Sequence, residues 1–244
     1  MATTSKRRCT RFESTGCITA VRHGQRADHA DHNWHETAER PHDPPLTEFG
    51  KEQAAATGAA LHVERVDAVY SSPFTRCMET AAAIAKEHGL QIRVEPGIGE
   101  MLADSKEHGW GFEEEPYTDK EFGAKRLAKR FNVDARYMPI YKTAADAGTG
   151  DRISFPESWS QATARYQHTL CEVQRTEPFA VLVTHGAGVK SIAESVLSED
   201  DVDDCNYCCI TQLHQAGGGR WRCMQRGTAH HGLVTAAADQ LVLH

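Results

Sequence analysis

The residues able to do chemistry sit where apolar runs stop. The run CITAV passes into Arg22, His23 and Gly24, and the run FAVLV passes into Thr184, His185 and Gly186. If both runs are parallel strands of one open sheet, their carboxyl ends lie on the edge where ligands bind, and the two histidines face each other. A third run, 66–70, leaves through SSPFTR and brings Arg76 to the start of a helix on that edge. A cation there opposes the helix dipole at a cost of up to about 1 kcal/mol. An anion held between Arg76 and the free N–H groups of the helix start would remove the conflict. A fourth run ends at Val94 and leads through Pro96 and Gly97 to Glu100, with Asp104, Glu107 and Glu113 in the same irregular stretch.

Two arginines, two histidines and one acid suit a phosphoryl group. Arg22 and Arg76 each offer planar pairs of donors to phosphoryl oxygens and offset the charge that builds in the transition state. One neutral imidazole can attack phosphorus to give a phosphohistidine while the other donates a hydrogen bond. Attack is assigned to His23, because Gly24 permits close backbone approach and an unusual turn; His185 is its partner. Glu100 is expected to protonate the leaving alkoxide from a raised pKa, then to act as base for the hydrolytic water. No step calls for a metal or another cofactor.

The elements that must position these groups alternate between strand-like and helix-like, which points to an α/β chain with a largely parallel sheet. Strands are expected at 17–21, 66–70, 91–94 and 179–184, and a final hairpin at 208–214 and 221–226 around Gly217, Gly218 and Gly219. Thr47 is read as the cap of a helix reaching His62, and Ser72 and Pro73 as the cap and first turn of one ending at Gly89. Further helices are expected at about 120–131, at 157–175 with Trp159, Ala162, Tyr166, Leu170 and Val173 on its apolar face, and from His185 to about Leu197. The stretch 96–151 reads as an insertion, residues 1–15 as a disordered leader, and 16–244 as one domain.

Composition narrows the partners. With 27 Lys and Arg against 34 Asp and Glu, the net charge of −7 argues against a general nucleic-acid or anionic-membrane binder, so any anion site is local. No apolar run has the roughly 20 residues of a membrane span, and the N-terminus lacks the apolar stretch of a signal peptide; a cytoplasmic chain is expected. The eight unevenly spaced cysteines read as reduced thiols.

RHG after the first strand, SSPFTRCMETA after the second, Glu100 after the third and VTHG late in the chain together resemble the histidine phosphatase superfamily, the phosphoglycerate mutase-like fold. The resemblance spans roughly residues 18–188 in order. It implies a three-layer α/β/α sandwich with a mostly parallel central sheet. It also implies a phosphohistidine at His23, a phosphate pocket of Arg22, Arg76 and His185 with Gly186 beside them, and Glu100 as proton donor. The long loop 25–45 followed by PLTEFGKEQA is more similar to the suppressor of T-cell receptor signalling type of phosphatase than to a glycolytic mutase. RHGQR likewise resembles that group's RHGER, which makes Arg26 an additional phosphate or substrate contact. The RHGES and GxLxGLNK-type segments of the mutases are missing. The ubiquitin-binding and SH3 modules of that group's better-known members are not expected within these 244 residues.

The leading expectation is therefore a metal-independent phosphomonoesterase acting on a phosphorylated small molecule or a phosphotyrosine-type substrate. Its alternatives are a phosphoglycerate mutase, a sugar bisphosphatase, and a scaffold that binds phosphate without turnover. Trp34, Trp110 and Phe112 are candidates for an apolar pocket lining, and Lys125, Arg126, Lys129 and Arg130 for a second phosphate. His29, His32, His35 and His42 lack the paired spacing of a zinc motif, and Cys208 and Cys209 should point to opposite faces of a strand. The late hairpin leaves a free sheet edge compatible with a homodimer.

Overall fold

The computed structural model describes residues 14–31, 33–62, 64–108, 111–118, 122–143, 151–196, 205–216 and 219–229. Their elements are β1 (Ser14–Arg22), α1 (Trp34–Thr37), α2 (Glu48–Leu61), β2 (Ala68–Ser71), α3 (Thr75–His88), β3 (Ile92–Val94), α4 (Ser105–His108) and α5 (Ala124–Leu127). There follow β4 (Tyr141–Lys142), β5 (Asp151–Arg152), α6 (Trp159–Thr176), β6 (Phe179–Thr184), α7 (Gly186–Val196), β7 (Cys209–Ala216) and β8 (Trp221–Ala229). The main sheet has the order β3-β2-β6-β1-β7-β8; its first four strands are parallel, and β7 and β8 are antiparallel additions.

Alternation along the strands sorts the core onto two faces. Ile18, Ala20, Tyr70, Ala180 and Leu182 meet Ala162, Tyr166 and Leu170 of α6 and Val189 and Ile192 of α7. Val21, Val69, Val181 and Val183 on the other face meet Cys77, Met78, Ala81 and Ile84 of α3 and Leu61 of α2. Helices on both sides make the three-layer sandwich, and each large side chain buried this way contributes about 1.5–3 kcal/mol before entropy is counted. No helix among the described residues is long and apolar enough to cross a membrane.

Local signals set most element ends. Thr47 Oγ1 accepts from Gly50 N at 2.9 Å and caps α2. Ser158 and Gln161 form a capping box at the start of α6, and Gly89 ends α3 at φ 65°. The helix expected at 120–131 is only the single turn α5, because Leu127 alone faces the core. Trp159 is not on the buried face of α6: it is 44% exposed, one turn too early to reach the sheet. Cys208, at φ 55°, packs with Leu46 and Ala54, whereas Cys209 joins the opposite core, so the two thiols do separate. Residues 1–13, His32, Trp110, Lys120, Leu197, Gly217 and Gly218 lie outside the described residues.

Candidate active site

All four parallel strands deliver their carboxyl ends to one edge. His23 follows β1 and His185 follows β6; the register aligns Arg22 with Thr184, and His23 N donates to Thr184 O at 3.0 Å. The two rings meet edge to face with centroids 5.3 Å apart, and both residues are buried. Arg76, the second residue of α3, is buried as well. Glu100 arrives through the 3-10 turn Pro96–Ile98 that follows β3. The structure thus brings together Arg22, His23, Arg76, Glu100 and His185.

The helix start that carries Arg76 is built differently from the sequence reading. Phe74, not Ser72, occupies the cap position and gives no side-chain bond. Asp43, from the long loop after β1, accepts from Thr75 N and Thr75 Oγ1, each at 2.7 Å. This borrowed cap also neutralises the helix end that Arg76 opposes, with Arg40 3.1 Å from the same carboxylate. Ser72 is thereby available to His185, its Oγ lying 2.9 Å from Nε2. Neither Asp43 nor Ser72 carries a sequence signal for these roles, since both bonds run between segments.

Gly24 does not adopt a left-handed backbone. What it needs is room: a Cβ there would come within 2.5 Å of Gly50 O, and a Cβ on Gly50 within 2.2 Å of Gln25 O. The His23 loop therefore rests backbone to backbone on α2. His23 Nδ1 lies 2.8 Å from Gly24 O. A carbonyl can only accept, so Nδ1 carries the proton and Nε2 presents its lone pair. Burial, and then the charges of Arg76 and Arg22, hold the His23 pKa well below its ordinary value, so the ring is neutral.

Arg76 Nη2 lies 3.1 Å from Glu100 Oε2 and 3.1 Å from His185 Nδ1, while Glu100 Oε2 is 2.9 Å from the same Nδ1. The consistent arrangement has His185 donating from Nδ1 to the carboxylate and accepting from Ser72 Oγ at Nε2. Burial, opposed by Glu100 but aided by Arg76, lowers His185 to about 4. Burial is also the largest single influence on Glu100 and pushes it up, yet His185, Arg76 and Arg26 together outweigh it and hold the carboxyl well below the usual range. The expected raised pKa is thus reversed: in this arrangement Glu100 is a carboxylate, held by the His185 Nδ1–H and then by the Arg76 guanidinium in contact with it.

Three guanidinium nitrogens remain, carrying four N–H bonds between them. Arg76 Nε and Nη1 and Arg22 Nε are buried and have no hydrogen-bond partner among the described residues. Arg22 Nη1 donates to Cys205 O, and its guanidinium lies 4.6 Å from the ring centre of Tyr207. Tyr207 was not read from sequence. Its ring is 5.8 Å from that of His23, and its hydroxyl is 2.5 Å from His29 Nδ1, tying the loop before β7 to the loop after β1. Gly186 opens α7, with Arg22 Nε 3.8 Å from where its Cβ would stand. Arg26 pairs with Asp28 through two bonds of 2.6 and 2.5 Å.

Of the expected lining residues, Trp34 and Phe112 are engaged elsewhere, and Trp110 lies outside the described residues. Trp34 Nε1 donates to Pro41 O at 3.1 Å, within its own loop, and Phe112 is packed with Phe74, Leu102, Tyr117 and Phe122. His42 meets Phe112 and Phe122, and no group of metal-ligating side chains occurs among the described residues.

The family model of the histidine phosphatase superfamily (branch 1) matches residues 18–227. The chain belongs to the histidine phosphatase superfamily. It is 30% identical over 165 residues to ubiquitin-associated and SH3 domain-containing protein A of Mus musculus, covering 64% of this chain and 24% of that protein. It is 47% identical over 106 residues to the human protein B, covering 40% of this chain and 15% of that one. These relatives bear out the resemblance to the suppressor of T-cell receptor signalling type. The chain spans at most about a quarter of their length. In fold it matches the ecdysone phosphate phosphatase of Bombyx mori with a TM-score of 0.61 at 20% identity, over 87% of this chain and 93% of that one. It matches the mycobacterial glucosyl-3-phosphoglycerate phosphatase with a TM-score of 0.57 at 24% identity, over 87% and 99%.

Proposed function

We propose that this histidine phosphatase is a metal-independent phosphomonoesterase that works through a covalent phosphohistidine on His23. The observation that carries the reading is the set of unpartnered, buried guanidinium N–H groups on Arg22 and Arg76 beside a neutral imidazole. Buried donors without partners are costly, and the oxygens of one phosphoryl group would satisfy these nitrogens together.

In the first step the His23 Nε2 lone pair forms the N–P bond as the ester P–O bond breaks, with Arg22, Arg76 and His185 bearing the charge on the phosphoryl oxygens. Oxygens that take up Arg76 Nη2 and His185 Nδ1 displace the groups that hold Glu100 ionised. The carboxylate then takes up a proton from solvent and passes it to the leaving alkoxide. In the second step the Glu100 carboxylate takes a proton from water, the resulting oxygen attacks phosphorus, and the N–P bond breaks to release phosphate and neutral His23.

Tyr207, stacked on Arg22 above His23, supports an ester whose leaving group is aromatic or otherwise apolar, a small molecule or a phosphotyrosine-type substrate. The test is hydrolysis of an aryl phosphate with chelator present. Loss of turnover in His23→Ala with the fold retained, together with an acid-labile phosphoryl adduct in the intact protein, supports the route. Chelator-resistant activity that survives the substitution would sink it.

A further inference from the structure

Behind Glu100 lies a second buried ion pair that the chemistry above does not use. Arg165 on α6 and Glu157 just before that helix are both buried. Arg165 Nε donates to Glu157 Oε2 at 3.1 Å, and Nη2 to Oε1 of the same carboxylate. The guanidinium still has donors to place, and all of them go to one backbone segment. Nη1 donates to Gly97 O at 3.0 Å and Gly99 O at 3.3 Å, and Nη2 donates to Glu100 O at 3.2 Å.

Neighbouring side chains complete the grip. Thr184 Oγ1 donates to Ile98 O at 2.7 Å, and Tyr166 Oη donates to Gly99 O at 2.6 Å. Glu157 exchanges bonds with Leu102, its Oε1 accepting from Leu102 N at 3.3 Å and its own N donating to Leu102 O at 2.9 Å. Every carbonyl from Gly97 to Glu100 is therefore held by a side chain of α6 or of the end of β6. The glycines let this happen: a Cβ on Gly97 would stand 2.2 Å from Thr169 Oγ1, and one on Gly99 1.8 Å from Tyr117 Oη.

A buried guanidinium is expensive to desolvate, and apolar residues of similar volume commonly serve stability as well or better. What an arginine offers that they do not is a rigid fork of donors that fixes several acceptors at once. Here those acceptors are the main chain on which the Glu100 carboxylate is mounted, 3.1 Å from Arg76 Nη2 and 2.9 Å from His185 Nδ1.

We propose that Arg165, clamped by Glu157, is a positioning residue for Glu100, fixing the backbone from which its carboxylate serves the leaving group. The proposal rests on the assignment of Glu100 as proton donor. Misplacement of a reacting group by about 1 Å can cost on the order of a hundredfold in rate.

The experiment compares kcat/KM of the full chain on p-nitrophenyl phosphate, whose leaving group needs little protonation, and on β-glycerophosphate, whose alkoxide needs it. The variants are Glu100→Gln, Arg165→Lys, their double, and Glu157→Gln with Arg165→Gln. The last removes both charges together, so that no lone buried ion is left if Arg165→Lys fails to fold. Glu100→Gln is expected to lose about a hundredfold or more on the alkyl ester and far less on the aryl ester. Arg165→Lys should show the same selective loss at roughly tenfold, in kcat more than in KM, and should cost nothing further in the Glu100→Gln background. The paired-amide variant should follow the same pattern. Equal losses on both esters, or additive losses in the double variant, would make Arg165 merely structural and overturn the proposal. If Glu100→Gln itself spares the alkyl ester, the proton-donor assignment falls and takes this proposal with it.

Discussion

The rings of His23 and His185 meet edge to face across the sheet edge, their centroids 5.3 Å apart, although 161 residues separate them in the chain. Because Nδ1 of His23 is engaged by Gly24 O, only Nε2 is available for attack. His23→Ala should abolish turnover, by at least about 10⁴-fold if the covalent route carries the rate, with unchanged circular dichroism. His23→Gln should be equally inactive, since an amide cannot form the phosphoryl adduct. Acid-labile label from a ³²P-ester, present in the intact protein and lost in both variants, checks the assignment.

Asp43 holds the helix that presents Arg76, so the loop after β1 has a stability role distinct from chemistry. Asp43→Ala should destabilise the protein by about 1–2 kcal/mol as a lost cap, whereas Asp43→Asn should retain most of that by keeping an acceptor for Thr75 N. Urea unfolding of both variants separates the outcomes. Equal losses would mean that the charge beside Arg40, not the cap, is what matters.

Tyr207 forms a wall over Arg22 and His23. Tyr207→Ala should raise KM for aryl phosphates by roughly tenfold, in line with one lost aromatic contact of about 1 kcal/mol or slightly more, and should affect alkyl esters less. Tyr207→Phe keeps the ring and removes the bond to His29, so its aryl preference should survive. Michaelis–Menten constants on matched aryl and alkyl esters decide the matter.

Acid should weaken the fold in a defined window. His185 is neutral when folded down to about 4 but gains a proton near its ordinary 6.5 when unfolded. Between those values the unfolded state binds more protons, so stability rises with pH and is lost as pH falls through the window. Glu100, held low in the fold, adds a loss of the same sign below about 4.5. The pH dependence of the unfolding midpoint should therefore become shallower between about 6.5 and 4 in His185→Gln, with the remaining slope carried by His23. His23, also held low, should keep the attacking step active below 6.5.

The residues legible in the sequence were those that end a strand. Arg22, His23 and His185 sit where an apolar run meets glycine, and the parallel sheet turns that shared local feature into a shared location. Arg76 was legible because it contradicts the dipole of its own helix. Asp43, Ser72, Tyr207 and Arg165 were not, because each acts across segments far apart in the chain and carries no local pattern. The charge state of Glu100 is illegible in the sequence for the same reason: only the folded chain brings His185 and Arg76 against it. Likewise the periodicity that placed Trp159 on the α6 face cannot tell where the sheet stops supporting it.

In the sheet, β6 lies between β1 and β2 and hydrogen-bonds to both. During synthesis β1 and the strand leading to Arg76, one place apart in the sheet, cannot be joined until residues 179–184 leave the ribosome. A nascent chain shorter than that has exposed valines and no assembled phosphate site, and the last central strand to be made is the one that brings His185 with it. Joining of the four parallel strands and the meeting of His23 with His185 are thus a single late event.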